Sequence, residues 1–579
     1  MSDYLYTSVQ GKASELSSSI KKVYQSYKLG CQEFTGDWGS LSVSPSPYKG
    51  LQPLETESHI FIVLGGPVLY FRDNCFLAGD DSTEGTQALL ERYLANELDL
   101  ENDISGPFQF VIVDKFASKV TCITDLMLFI PSYVSKQRGT ITLGSHVDAV
   151  ARVIGASKKD LDKVSIADFI LHGAVTFPHT VYSEIKQSHP ATYYEYYVTN
   201  DGVKETVSEP YWLPYERYQY DSVKDAATAL RAGVSKHIHA VTDSMTEVAQ
   251  FISGGEDSRS LSGLLPAHLK RDAFVFLDSM NREGRIAEKV AKAYGADFHM
   301  GKRDPLHYIH ILDEASALVG SGYEYMHCHS LSFDKDFQLN CYSAVFGGYS
   351  SDVFLKGYFV RKSVLRSKLG FMPEAWIEGE TRSNAVISEL FVSDILDEIT
   401  QRRRNHVKLV KAFRDETLHE WFTVWPATMR SAIPNHFCNR RLFASYEVFM
   451  SHEVLKIAAS VPTEWKLNRK LFHSAFQPCL AKSKWIRHGD GRLPYFSNAL
   501  NSFLFFSGKV RKKLFAKAES IEGPWGDFDR LVGHPVSQSM IADTTAKLHQ
   551  IYDEKLILGS LKNPRLILAA VSLGNSICD

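Results

Sequence analysis

The run Ser253-Gly254-Gly255-Glu256-Asp257-Ser258 has the residue types that binding an oxyanion requires. Two adjacent glycines let a backbone approach an anion closely. Serine hydroxyls and the free N–H groups of a helix start donate to phosphate oxygens, and Asp257 can hold a magnesium ion. A turn closed by an N-cap serine or aspartate would use the same letters. Context separates the two readings, because VAQFI before the run reads as a buried strand and LSGLLPAHL after it as a helix. A second glycine-rich run lies downstream, Phe346-Gly347-Gly348-Tyr349-Ser350-Ser351-Asp352-Val353-Phe354-Leu355-Lys356-Gly357-Tyr358. Alone it would be a glycine-rich loop ahead of a helix N-cap. The Walker pattern GxxxxGK[ST] does not occur in the chain.

Positioning these runs takes a sheet with helices. SVKDAATALRAGVSKHIHAV has the period of an amphipathic helix, AFVFLD reads as a second strand, and EGRIAEKVAKAYG as a helix whose Gly295 suits a left-handed cap. Strand, turn, helix, strand, helix predicts an α/β fold with a doubly wound parallel sheet. Residues beyond about Val360 read mostly as added helices. Upstream, YWLPYERYQY reads as an ordered connector. The short apolar runs from His59 onward (HIFIVLGG, PVLYF, FQFVIVD, KVTCIT, TITLGS) predict a mostly antiparallel, β-rich domain interrupted by the helix EGTQALLERYLANEL. Residues 1–56, polar and broken by SVSPSPYKG, read as an extension with little core of its own. The expected division is 1–56, 57–210 and 211–579.

Composition narrows the partners. A chain of 579 residues exceeds one hydrophobic core, and a net charge of -3 offers no broad cationic field for nucleic acid. Eight cysteines without a CxxC pair argue against a disulfide framework or zinc site and for a reducing compartment, the cytoplasm. The start lacks the pattern of a secretory signal, and no stretch approaches the ~18 apolar residues of a spanning helix, so no membrane partner is expected. His327-Cys328-His329 lacks the spacing of a closed zinc site. VRKKLFAK, residues 510–517, reads as a solvated basic face that could also meet an acidic peptide or carrier protein.

The first run resembles the SGGxDS loop of ATP pyrophosphatases, which grips the β- and γ-phosphates while the α-phosphate is attacked. The second is similar to the GEGSDEVFGGY of asparagine synthetases, with Gly348, Ser351, Asp352, Gly357 and Tyr358 in register. EGRIAEKVAKAYGADFH resembles the helix after that family's adenine-contacting strand. YEVFMSHEVLKIAASVPTEWKLNRKLFHSA is similar to its GLEARVPFLD and KxxLRxA segments. ISGPFQFVIVD, LMLFIPSYV, ITLGSHVDAV and SIADFILHGAVTFPHT resemble its amino-terminal nucleophile (Ntn) domain. The resemblance implies an Ntn-like domain followed by a PP-loop synthetase domain, using ATP and Mg2+. ATP contacts would come from Ser253, Gly254, Gly255, Asp257, Ser258, Arg259, Leu277, Gly347 and Gly348, and metal ligands from Asp257 and Asp352. Tyr349, Arg469 and Lys484 would be catalytic. The implied activity is an AMP- and pyrophosphate-forming ligase joining a small-molecule or peptide carboxylate to an amine, with a biosynthetic partner protein or a second copy as associate.

The departures from the pattern refine this. A glutaminase of the family has cysteine after the initiator methionine, as its free α-amino group serves as the base; Ser2 stands here, which implies no glutamine hydrolysis. That points toward β-lactam synthetase, carbapenam synthetase or lasso-peptide cyclases. Tyr349 in GYSSDV resembles the GYGSDI of β-lactam synthetase, whose tyrosine belongs to a Tyr–Glu dyad. The register puts the dyad glutamate near Met429 and Arg430, and Glu374, Glu378, Glu380 and Glu389 would need gaps. Lys466 falls near the family's first lysine, Arg469 on its second, and His473 on an arginine. The segment LAKSKWIRHGDGRLPYFS matches the family's RPKLGV in degraded form, with Lys484 the nearest cation and Arg487 the next; a cation there would neutralise developing charge. Two further readings are an ammonia-dependent amidotransferase similar to asparagine synthetase and a nucleotide-binding scaffold, the latter from Val353 and His473.

Overall fold

Alternation of apolar side chains builds the first half of the chain. In the computed structural model, which describes residues 3–137, 139–360, 391–497, 500–501, 526–552, 558, 561 and 563–578, it forms two antiparallel sheets. One runs in the order Lys186–Gln187, Tyr133–Gln137, Thr140–Gly144, Tyr4–Thr7, Gly39–Val43, Gln32–Gly36. The other runs Gly202–Val207, Tyr193–Thr199, Lys119–Thr124, Phe108–Asp114, His59–Gly65, Leu54–Glu55. Tyr4, Tyr6, Leu41 and Leu143 of the first share one core with Ile60, Ile62, Val111 and Val113 of the second, as in stacked sheets.

The expected extension is therefore a correction. Tyr4–Thr7 is a central strand, paired with Gly39–Val43 on one side and Thr140–Gly144 on the other. Its Tyr4, Leu5 and Tyr6 are wholly buried. Leu5 joins the core that holds Leu16 and Ile20 of the helix Ala13–Lys21. The strand has four residues and both faces covered, so it carries no period-2 signal. Ser40, Ser42 and Ser44 made the segment look solvated, yet all three are buried. Ser40 Oγ donates to the Val9 carbonyl, and Ser44 Oγ accepts from the Asp3 N–H.

Asp3 opens this strand and is 1% exposed. Its carboxylate accepts from Arg441 Nε (2.7 Å) and Nη2 (2.9 Å), Arg440 Nη2 (3.3 Å), Ser145 Oγ and the Tyr24 hydroxyl. Burial opposes its ionisation, but Arg441 and Arg440 hold its carboxyl well below the usual range. Both arginines lie on the helix Pro434–Leu442 of the second half.

The connector 211–220 has no regular structure, but Tyr211 Oη donates to the Thr124 carbonyl and Glu216 accepts the Asp415, Glu416 and Thr417 N–H groups. Beyond it lies a five-stranded, wholly parallel sheet, ordered Asp297–Lys302, Lys270–Leu277, Glu247–Phe251, Val345–Gly347, Ser445–Glu447. The chain enters at the middle strand, winds outward to one edge, then returns to fill the other. The order reverses between Glu247–Phe251 and Val345–Gly347, where a crevice opens at the carboxyl ends of the strands. The helix Arg282–Tyr294 covers one face and ends on Gly295 at φ +73°, the left-handed cap its sequence predicts. Helices dominate the described residues beyond 390, apart from the strand Ser445–Glu447. Among the described residues no helix is long and apolar enough to cross a membrane.

Candidate functional site

The strand Glu247–Phe251 runs directly into the 253–258 loop, and Gly255 is the N-cap of the helix Glu256–Leu264. The loop is closed by its own serines. Ser253 Oγ accepts from the Gly255 N–H (3.0 Å), while Ser258 Oγ accepts from the Ser253 N–H (3.1 Å) and donates to the Ser253 carbonyl. The Gly254 N–H donates to the Glu283 carboxylate, which arrives from the first turn of Arg282–Tyr294. A carboxylate therefore already sits on this loop, accepting from an N–H group at the helix start.

Arg259, expected among the ATP contacts, is wholly buried. Its guanidinium donates to the carbonyls of Gly254 (2.9 Å), Ile486 (2.6 Å) and Arg487 (3.1 Å). Arg259 thus ties the loop to the 486–487 segment, and burial pulls its guanidinium down to about 10.

The second glycine run folds against the first. The strand Val345–Gly347 ends at the crevice, and the short helix Ser351–Leu355 carries Asp352 in its first turn. A Cβ on Gly348 would lie 3.3 Å from the Asp257 Cβ and 3.4 Å from the Ser258 N, so only glycine lets the two loops approach this closely. Burial pushes the Asp257 carboxyl up; Lys356, 2.6 Å away, opposes this, while Asp352 and Glu256 add to it. Burial likewise opposes ionisation of Glu256, but Lys356, Arg469 and Arg492 hold its carboxyl down. Arg469 reaches Glu256 directly from a left-handed backbone (φ +61°), a conformation that its neighbour Asn468 shares (φ +53°). Paired residues in this sparsely populated region mark a backbone held by its surroundings.

This donor set fits a magnesium ion. Asp257 and Asp352 interact electrostatically across the junction of the loops, and the Lys356 ammonium already lies against Asp257 as a cation would.

Next to the junction lies a cleft of about 240 Å³, whose lining includes Phe251, Phe274, Phe276, Tyr349, Asn439 and Glu447, together with Ser253 and Gly347 of the two runs. Leu277, expected among the ATP contacts, points its side chain elsewhere. It is buried with Val290 and Ala291 against Arg282–Tyr294. Side chains alternate along Lys270–Leu277, so Phe274 and Phe276 face the cleft. A strand buried on both faces gives no parity signal in its sequence.

Tyr349 is a wall of this cleft. Its hydroxyl is buried without a hydrogen-bond partner among the described residues, and the Arg430 guanidinium lies 4.9 Å from its ring centroid. Burial pushes the phenol up to about 12, although Arg430 opposes the shift. The Tyr349 N–H donates to Glu447 Oε2 (2.9 Å). Burial pushes the Glu447 carboxyl up to about 7, with the Tyr349 N–H and the Asn439 side chain opposing.

Lys484 is exposed and lies over the Trp485 ring, away from the cleft lining. The ammonium brought to the carboxylates is that of Lys356, a residue inside the quoted glycine run whose role its sequence did not announce. Lys466 is buried in a pair with Glu420 (2.9 Å), and His473 bonds the Tyr495 carbonyl through Nε2. His329 lines the cleft, while no group of three or more His, Cys, Asp or Glu suited to a metal occurs among the described residues. Glu374, Glu378, Glu380, Glu389 and the basic run 510–517 lie outside the described residues.

Two family models match the chain, a glutamine amidotransferase domain over residues 40–212 and asparagine synthase over residues 229–486. Among curated proteins, asparagine synthetase (glutamine-hydrolyzing) 3 of Bacillus subtilis (strain 168) is 22% identical over 331 residues, covering 51% of this chain and 52% of that protein. The chain thus spans about half the length of that relative. Among solved structures, the allosteric regulatory enzyme of purine biosynthesis matches 52% of this chain and 81% of its own at 10% identity and a TM-score of 0.26. The glutamine phosphoribosylpyrophosphate amidotransferase from B. subtilis, complexed with ADP and GMP, matches 54% and 92% at 8% identity and a TM-score of 0.22.

Proposed function

Because the chain is a member of the asparagine synthetase superfamily, we propose that it is an ATP-dependent carbon–nitrogen ligase that adenylates a carboxylate, releases pyrophosphate, and passes the acyl group to an amine with loss of AMP. The observation that carries this reading is the junction of the two glycine loops at the sheet's reversal point. There Gly348 packs on Asp257, and an anion-binding loop, two further carboxylates and three cationic side chains converge.

In this reading the serines and N–H groups of residues 253–258 hold the pyrophosphate portion of ATP, and Glu283 yields the Gly254 N–H to it. Asp257 and Asp352 would hold Mg2+, which when bound neutralises charge between phosphate oxygens. Lys356, Arg469 and Arg492 supply fixed positive charge beside the departing pyrophosphate. Phe251, Phe274 and Phe276 offer aromatic faces to a nucleobase and exclude water from the activated acid.

The amine comes without glutamine hydrolysis by this chain. Support for this finer point lies in the first half. Burial pushes the thiols of Cys31 and Cys122 up, the reverse of what a nucleophilic cysteine needs. The whole reading leads toward β-lactam-synthetase-like or peptide-cyclase-like chemistry.

The test is exchange of labelled pyrophosphate into ATP with magnesium, using pooled amino acids, β-amino acids and peptides as carboxylates. Exchange should depend on one pool and fall by at least ~100-fold in Asp257→Ala. Exchange that survives the substitution would remove Asp257 from the mechanism. ATP binding without exchange from any pool would favour the nucleotide-binding scaffold.

A further inference from the structure

Amide formation needs a group to accept the proton of the attacking nitrogen, and the sequence offers Tyr349 for this. The phenol is a poor acceptor at neutral pH: it is buried, and Arg430 lies over its ring rather than at its oxygen. Another carboxylate occupies the cleft. Glu447 ends the strand Ser445–Glu447, directly opposite Gly347 in the parallel register. A side chain at Gly347 would overlap the Glu447 carboxylate, so the second glycine run leaves the room that this group fills. The Tyr349 N–H at 2.9 Å fixes its position, and the Asn439 side chain, from the helix Pro434–Leu442, lies beside it and favours the charged form.

We propose that Glu447 is the catalytic base of the acyl-transfer step, taking the proton from the amine as it attacks. The inference rests on the adenylating reading above and deepens it. As the N–C bond forms, the nitrogen gains positive charge and its proton passes to a Glu447 oxygen. The C–O bond to AMP then breaks, and AMP departs with that electron pair. The carboxylic acid left at Glu447 returns its proton to water, completing the balance.

The surroundings suit the role. The titratable and charged groups around Glu447 are Tyr349 and Arg430 near the glycine run, Tyr48 from the first half, and Arg303 and His329 elsewhere in the cleft lining. Arg303 is engaged by Asp278 at 2.8 Å, and none of these forms an ion pair with Glu447 among the described residues. Burial without such a pair keeps the carboxyl near neutrality, where a base both holds and releases protons.

The experiment compares two nucleophiles on the full chain, with the same carboxylate pools and MgATP. Ammonium and methylamine need a proton acceptor at neutral pH; hydroxylamine, uncharged there, needs it far less. In Glu447→Gln, amide formation should fall on the order of 100-fold or more, while hydroxamate formation and pyrophosphate exchange fall far less. The rising limb of the amide pH profile should vanish. Asn439→Leu removes a donor to the charged form, so it should move that limb to higher pH. Equal losses with both nucleophiles, or an unchanged pH limb in both variants, would overturn the inference while leaving adenylation intact. A wild-type chain with neither exchange nor hydroxamate would overturn the adenylating reading and the inference with it.

Discussion

Two buried carboxylates set the halves of this molecule apart. Asp3 and Glu447 are 1% and 4% exposed, yet they respond to burial in opposite ways. Asp3 meets two guanidiniums and two hydroxyls, and its carboxyl is held far below its ordinary value. Glu447 meets only an N–H and an amide, and its carboxyl rises to about 7. The first arrangement saturates a charge to join two halves. The second leaves a charge under-compensated beside a cleft, which costs stability and is a recurring mark of reactive sites. Burial alone thus does not identify function; the balance of counter-charge does.

The contrast is most exposed to breakage at Arg441. Arg441→Met should destabilise the protein by about 3–5 kcal/mol, since it strands the Asp3 charge with Arg440 at 3.3 Å. Urea unfolding at neutral pH measures this, and a change under ~1 kcal/mol would mean that the Asp3 cluster does not hold the halves together. Asp3 stabilises the fold above the ordinary carboxylate range and loses that contribution only as pH falls through its depressed folded value.

Glu447 carries the opposite sign. Its folded carboxyl titrates near 7 against an unfolded value of 4.5, so the unfolded chain binds fewer protons between these values and stability falls as pH rises through that window. Glu447→Gln should therefore stabilise the ligand-free chain by about 3 kcal/mol at pH 8, and by little at pH 4.5. Thermal melting at the two pH values sharpens the comparison; a gain equal at both would point to packing instead of charge.

The smallest expected effect lies at the loop. Glu283→Gln keeps the shape at the Gly254 N–H but removes the negative charge, so pyrophosphate with magnesium should bind about tenfold more tightly, or ~1.4 kcal/mol. Calorimetry reads this directly, and weaker binding in the variant would make Glu283 a supporting ligand instead of a competing anion.

The parts of the site legible in sequence are those contiguous in the chain. The 253–258 loop announced itself because its glycines, serines and aspartate are neighbours, flanked by a strand and a helix. The parallel sheet followed from the same flanking pattern. Glu447 was hidden because the strand bearing it has three residues, too few for any period, and its partner Tyr349 lies 98 positions away. Lys356 was in plain view within the second glycine run, but only the fold turns it onto Asp257. The misread start of the chain has a similar cause. Tyr4–Thr7 is too short to alternate, and the Ser40 hydroxyl of Gly39–Val43 is satisfied by partners remote in sequence.

The Asp3–Arg441 pair spans 438 positions of sequence, and this sets a schedule for the growing polypeptide. Domains tend to fold as they emerge from the ribosome, amino-terminal first. Here the strand that follows Asp3 is central to its sheet, yet the carboxylate has no counter-charge until Arg440 and Arg441 have been made. The half that is synthesised earlier is thus finished only with the later one. A fragment ending after the connector would keep the Ser145 and Tyr24 hydroxyls on Asp3 but lose both of its cations, so the two halves should behave as parts of one cooperative unit, not exchangeable modules.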